Sequence, residues 1–265
     1  MLASLADVVT AQEVSPGDLR NWDAAFASLG YSRTPHVQNS TEINDGQVIW
    51  YKAAKVTVNT TYSRKLSNGF IGWDGHTSVD KSAVAIDVSV ANKRVLIVDT
   101  HLCWSKCADS EADIITGKSW QRDAQARELL DWVSSLGHNN IVLGGDFDLT
   151  PLFPQYPLFA DYVDAWKLGL QSGIATAPWS DRDSDGVPDM PLGELTTRTR
   201  DTRRIDYVFL QGGVGLRSIE LPDLRKPCTL VNGQCPAVVQ RWGITEDLGV
   251  RPSDHNWLKA TVVLY

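Results

Sequence analysis

The chain has 265 residues, 43% of them hydrophobic, with a formal net charge of −7 and a pI near 5.2. That apolar fraction supplies a sizeable core and excludes disordered and fibrous classes, while the length suits one large domain or two small ones. The acidic balance argues against a protein that binds through bulk positive charge, although bound divalent cations can supply such charge locally, and no apolar run approaches the ~20 residues of a membrane span.

Residues 1–7 carry neither a basic n-region nor a long apolar h-region, so no signal peptide is visible. Residues 1–6 read as the last turns of a helix, and 7–11 as a short strand ending at Gln12-Glu13. Ser15-Pro16-Gly17 starts a helix over 18–29 that Gly30 ends. Residues 47–52 and 55–58 are strand-like, and the polar stretch 59–79 reads as loop. Residues 83–90 and 94–100 form a hairpin across Ala91-Asn92-Lys93 that leads to His101. An amphipathic helix follows over 120–136, with Ala124, Leu129, Trp132, Val133 and Leu136 at helical spacing and Gly137 behind it.

Next comes Ile-Val-Leu-Gly-Gly-Asp-Phe-Asp at 141–148, a short apolar run that reads as a buried strand. Asp146 and Asp148 lie at its C-terminal end, where mixed α/β sheets place ligand sites, and alternation points both acids one way with Phe147 turned into the core. The plainer reading is a strand closed by an Asx-type turn. A proline-rich turn (150–157), a short segment (162–168), a long polar loop, a strand (205–210), an irregular region (211–251) and a last strand (257–264) complete the chain. No repeat or linker divides it, which predicts a single α/β domain with mixed sheets.

Five short signals stand at element ends: Gln12-Glu13, Thr100-His101-Leu102, Gly145-Asp146-Phe147-Asp148, Arg204-Ile205-Asp206-Tyr207 and Ser253-Asp254-His255. Each is weak alone, because a lone Glu or His near a strand is more often structural. In this order they resemble the endonuclease/exonuclease/phosphatase superfamily, over essentially the whole chain. The resemblance implies a four-layer α/β sandwich, two packed mixed β-sheets flanked by helices, and phosphoester hydrolysis with Mg²⁺ or Mn²⁺. By the same resemblance Glu13 is the metal-binding glutamate and Asp146 the acid that orients or deprotonates the attacking water. His255 contacts the scissile phosphate, Asp206 holds that imidazole, Asp254 is a second metal-side or water-side acid, and His101 is a second phosphate-facing histidine. The roles make chemical sense, since charge grows on the phosphoryl oxygens during in-line attack and a cation with imidazole donors offsets it.

Two departures stand out. The family usually places Asn after Gly-Asp-Phe, where its amide donates to phosphate. Asp148 cannot donate when ionised, so it binds a second cation, is held protonated, or weakens the site. Family members also begin with a strand ending in Asn; that strand is missing from the 1–265 domain, and a truncated start is the expectation.

Asp181-Arg-Asp-Ser-Asp-Gly-Val-Pro-Asp189 opens like a calcium loop, with Asp181, Asp183, Asp185 and Asp189 as ligands and Gly186 at the sharp turn. Leu192 stands where an EF-hand has its bidentate Glu, so a structural Ca²⁺ is expected and a solvated acidic loop is the alternative. Cys103/Cys107 and Cys228/Cys235 lack zinc-site spacing and read as two local disulfides, hence a secreted or periplasmic protein. Trp50, Trp132 and Trp257 fall in periodic segments and read as core; Trp73, Trp104 and Trp179 fall in loops and are candidates for an aromatic binding surface. The expected function is a monomeric phosphodiesterase acting on nucleic acid, with a sphingomyelinase-like or phosphatase activity, or a non-catalytic binding module, as alternatives.

Overall fold

A computed structural model describes residues 6–39, 45–176, 204–221 and 258–265. Strand β1 (Val8–Ala11) leads through Gln12-Glu13 into helix α1 (Pro16–Ala27), which starts where Ser15 Oγ accepts a hydrogen bond from the Asp18 amide at 3.1 Å. Strands β2 (Tyr31–Arg33), β3 (Val37–Gln38) and β4 (Gly46–Lys52) follow. β4 is the hub of this first sheet, pairing antiparallel with β1, β2 and β3.

The second sheet has six strands, in the order β5 (Thr57–Leu66), β6 (Lys81–Val90), β7 (Lys93–His101), β8 (Ile141–Asp146), β11 (Asp206–Gln211) and β9 (Val163–Asp164). Helix α2 (Trp120–Ser135) carries the chain from β7 to β8, which are parallel, as a right-handed crossover allows. Helix α3 (Ala165–Gln171) and β10 (Ala175–Thr176) follow β9. β10 belongs to a third sheet with β12 (Val214–Glu220) and β13 (Lys259–Leu264).

Four layers emerge from the alternation of side chains. In β4, Val48 and Trp50 face α1, where Trp50 stacks on Phe26 at 4.4 Å, while Ile49 faces the six-stranded sheet. Ile49 packs with Val84, Ile86 and Val88 of β6 and with Ile219 of β12, so both smaller sheets cover one face of the large one. On its other face Ala83, Ala85, Leu96, Val98 and Leu143 meet Ala126, Leu129 and Val133 of α2. β6 is therefore covered on both sides, and its first eight residues are buried without a break.

The structure departs from the sequence reading in several places. Residues 59–66, read as loop, continue the strand that starts at Thr57: β5 is an edge strand whose Thr, Asn and Arg side chains are exposed, so ladder pairing to β6 holds it with little apolar surface besides Tyr62 and Leu66. Part of the region read as irregular is β12, which alternates too weakly to stand out. The buried face of α2 consists of Gln121, Arg122, Gln125, Ala126, Leu129 and Val133, whereas Ala124, Trp132 and Leu136 are only half-buried. Ala6, read as the end of a helix, lies in no helix, and residues 1–5 lie outside the described residues.

Candidate functional site

The site forms where β7 and β8 end side by side. Their parallel register sets His101 beside Asp146, and the Leu102 amide extends the ladder by donating to the Asp146 carbonyl at 2.9 Å. Such close approach requires glycine one residue earlier. Gly145 sits at φ +136°, and a Cβ there would meet the Thr100 carbonyl oxygen at 2.0 Å. Gly145 thus brings the two strand ends, and their functional side chains, together.

Asp146 ends β8, and Asp148 follows in the left-handed region at φ 48°. The Asp148 amide donates to Asp146 Oδ1 at 2.9 Å, so the strand closes in an Asx-type turn. Phe147 between them is fully buried, packed edge-on against Phe159, Tyr207 and Phe209 at 5.2–5.6 Å. The turn and the converging acids are one feature: anchoring Phe147 folds both carboxylates toward His101. His101 Nε2 lies 3.2 Å from Asp148 Oδ2 and 3.8 Å from Asp146 Oδ2.

Lys81, at the start of β6, completes this group. It is 3% exposed, its ammonium 3.3 Å and 3.1 Å from His101 Nδ1 and Nε2 and 4.7 Å from the centre of the Trp104 ring. His101 Nε2 is thus within hydrogen-bond distance of both the Asp148 carboxylate and the Lys81 ammonium, an imidazole set between an anion and a cation. Burial pulls the Lys81 pKa down, against the pull of Asp148, Asp45, Glu13 and Asp146. Burial alone would raise the Asp148 carboxyl, but the His101 hydrogen bond and the charges of His101, Lys81 and Arg122 hold it below its ordinary value. The direction of this shift favours the carboxylate over a carboxyl held protonated.

Arg122 of α2 is 2% exposed and donates to the carbonyls of Cys103, Trp104 and Gly117 at 2.8–3.2 Å. Gln125 accepts from the Cys103 amide at 3.0 Å, and Cys103 and Cys107 are joined by a disulfide across a five-residue stretch. Together these fix the loop that carries Trp104 beneath Lys81.

Glu13 follows β1 in the left-handed region at φ 56°, with its side chain exposed. Its neighbour Gln12 donates to the buried Asp99 of β7, tying the end of β1 to the six-stranded sheet. Burial raises Asp99 well above its ordinary pKa, the hydrogen bonds from Gln12, Ala11 and Thr100 opposing it in part. Asp206 opens β11 directly opposite Asp146 across the antiparallel ladder. Just before it, Arg204 makes a buried two-pronged ion pair with Asp164 at 2.9 and 2.6 Å, and its guanidinium lies over the Tyr207 ring.

The structure thus brings together His101, Asp146 and Asp148, with Asp206 on the adjoining strand and Glu13 within electrostatic reach of Lys81. Asp254 and His255 lie outside the described residues, as do the calcium-loop candidates Asp181, Asp183, Asp185 and Asp189, the Cys228/Cys235 pair, Trp179 and Trp257. Trp50 is core as expected, Trp132 is half-buried, and Trp73 is exposed with Lys106 over its ring. Lys81, Arg122 and Asp99 escaped the sequence reading. A basic residue opening a strand that is otherwise mostly apolar was the available signal for Lys81; for Arg122, inside a helix rich in exposed charges, there was none.

The donor set suits a hard divalent cation. Asp146 and Asp148 offer carboxylate oxygens within 4.8 Å of each other and of a His101 nitrogen, and the Glu13 carboxylate is solvent-accessible.

None of the curated proteins matches the sequence at a significant level. Solved structures do match. A mannosyl-6-phosphatase from Bacteroides thetaiotaomicron is 15% identical with a TM-score of 0.68, over 99% of this chain and 89% of that one. The human Nocturnin catalytic domain with bound sulfate is 17% identical with a TM-score of 0.59, over 98% and 83%. D. rerio TDP2 complexed with a single-strand DNA product is 15% identical with a TM-score of 0.62, over 99% and 88%. At such identities the likeness speaks for the fold. The family model for the Endonuclease/Exonuclease/phosphatase family matches residues 1–255, in keeping with the four layers and the strand-end site, and the chain belongs to that family.

Proposed function

We propose that the protein is a metal-dependent phosphoester hydrolase, acting on nucleic acid by in-line attack of an activated water. The observation that carries the reading is the convergence of His101, Asp146 and Asp148 at the ends of β7 and β8, with Asp206 opening the next strand. Asp146, pinned by the Asp148 amide, is the group that takes a proton from the attacking water. Glu13, together with Asp254, would hold a divalent ion such as Mg²⁺ or Mn²⁺, which supplies positive charge to the phosphoryl oxygens. By the family resemblance Asp206 would hold the imidazole of His255 on the phosphate side. The lysine and arginine behind His101 lower the cost of presenting an anion to two carboxylates.

The Cys103–Cys107 disulfide supports a secreted or periplasmic site of action. Among the described residues no helix is long and apolar enough to cross a membrane, and the working unit is proposed to be a monomer with a structural Ca²⁺ at 181–189. The test is plasmid nicking alongside hydrolysis of a chromogenic phosphocholine diester and of a chromogenic phosphomonoester, each with Mg²⁺ and with EDTA. Nicking that needs Mg²⁺ supports the nuclease reading. Preference for the phosphocholine diester or the monoester shifts the substrate class, and inactivity on all three removes the enzyme reading.

A further inference from the structure

We infer that Tyr207 is a positioning residue of the site: its buried hydroxyl ties the turn that carries Asp146 and Asp148 to the segment that opens at Asp206. Asp146 and Asp206 stand directly opposite each other, the last pair of the β8–β11 ladder at the site. Like charges so placed push neighbouring strands apart. Beyond that pair the Phe147 amide donates to the Ile205 carbonyl at 2.9 Å, and the chain then turns through Asp148 at positive φ. The Tyr207 hydroxyl sits under this end. It lies 3.1 Å from the carbonyl oxygen of Leu149, one residue past Asp148, and 2.9 Å from that of Arg204, two residues before Asp206. Both carbonyls can only accept, so the one hydroxyl proton serves the two segments together.

The ring that carries this hydroxyl is itself fixed. Tyr207 is 1% exposed, stacks on Phe209 at 5.0 Å and meets Phe147 edge-on at 5.6 Å. The Arg204 guanidinium lies 4.3 Å from its centre and is held there by Asp164. The ring therefore cannot shift without disturbing Phe147, whose anchorage turns both acids toward His101. Phe147, Phe159 and Phe209 fill the same cluster without a polar atom. Burying a hydroxyl among them costs free energy that a phenyl ring would not, so its contribution lies in what it joins.

The effect on turnover rests on the hydrolase reading above, whereas the tie itself does not, so the experiment has two arms. Both compare the parent with Tyr207→Phe and with Tyr31→Phe, which removes a similar hydroxyl-to-carbonyl bond, to Ala6, from the first sheet. The first arm is amide hydrogen exchange and needs no substrate. In Tyr207→Phe the Phe147 and Asp148 amides should exchange at least ~10-fold faster, while Val142 and Leu143 of the same strand stay within about 2-fold. Tyr31→Phe should leave all four unchanged. The second arm is Mg²⁺-supported cleavage of a chromogenic phosphodiester. Tyr207→Phe should lower kcat by roughly 10–100-fold with KM within about 2-fold, as misplaced acids would, and Tyr31→Phe should change neither. Replacing Tyr207 by 4-aminophenylalanine, which keeps a donor at the same place, should restore most of the rate. Exchange that is unchanged at Phe147 and Asp148, or that quickens equally along all of β8, would overturn the inference. So would an active parent whose kcat survives Tyr207→Phe. A Tyr207→Phe protein that does not fold, judged by circular dichroism, overturns it too, since the hydroxyl would then hold the whole fold and not the acids. An inactive parent would end the hydrolase reading and leave the exchange arm to decide this one.

Discussion

Breaking the Arg204–Asp164 pair should cost much more than removing it whole. Both side chains are within 4–6% exposure, bonded at 2.9 and 2.6 Å, and Asp164 also accepts from the Tyr156 hydroxyl at 2.8 Å and caps α3 by accepting from the Lys167 amide at 3.1 Å. Arg204→Met leaves a buried carboxylate with two neutral donors, and Asp164→Leu leaves a buried guanidinium with no acid; each should lose about 3–5 kcal/mol. At roughly 2–4 °C per kcal/mol for a chain of this size, melting should fall by roughly 6–20 °C. In the double variant the stranded charge disappears. What remains is the lost cap, about 1 kcal/mol, and one unpaired tyrosine hydroxyl, about 1–2 kcal/mol. Urea unfolding of the parent, both single variants and the double variant closes the cycle. A double variant more stable than either single one is the expected result. Strict additivity would refute the claim that the pair is worth little net and matters through what its breakage strands. Because Arg204 immediately precedes the strand that opens at Asp206, the single variants should also lose activity beyond their loss of stability.

Two further outcomes follow from the same geometry. Asp99 is buried, its Oδ2 lacks a hydrogen-bond partner among the described residues, and its folded-state pKa lies well above that of the unfolded chain. Its stabilising contribution is therefore present in full below the unfolded value of about 3.9 and is lost as pH rises through the folded one. Asp99→Asn, which keeps the acceptor for Gln12, should melt progressively higher than the parent between pH 5 and pH 8, and an unchanging gap would sink the assignment. The Cys103–Cys107 bridge closes only a short loop, worth about 2 kcal/mol by chain entropy. Replacing both cysteines by alanine should lower melting by roughly 4–8 °C, and the protein should then no longer respond to reductant through this loop; a shift under 2 °C would show that Arg122 and Gln125 hold the loop unaided.

What could be read from sequence was whatever periodicity or a close-set motif encodes. The apolar run into Gly144-Gly145 gave β8, and the acids after it gave a candidate site only in company with the other four signals. The hairpin of β6 and β7 was equally plain: Ala91 and Asn92 both adopt positive φ, as a tight two-residue turn demands. β5 was invisible because an edge strand with a solvated surface has no hydrophobic alternation to show. Lys81 was invisible for a different reason. Its meaning depends on a partner, His101, that is 20 residues away in sequence but diagonally across the end of the β6–β7 ladder. Sequence also offered an Asx turn and a pair of converging acids as rivals at 146–148, and the backbone forms the turn while setting both acids toward His101.

The most direct test of the central claim is the rate of Mg²⁺-supported phosphodiester cleavage in Asp146→Asn. The substitution keeps an oxygen to accept from the Asp148 amide, so the turn and the fold should survive, and melting should confirm it. Loss of the proton acceptor should slow cleavage by roughly 10²–10⁴-fold, with the parent's activity abolished by EDTA. An Asp146→Asn protein that cleaves as fast as the parent, or a parent indifferent to EDTA, would contradict the account.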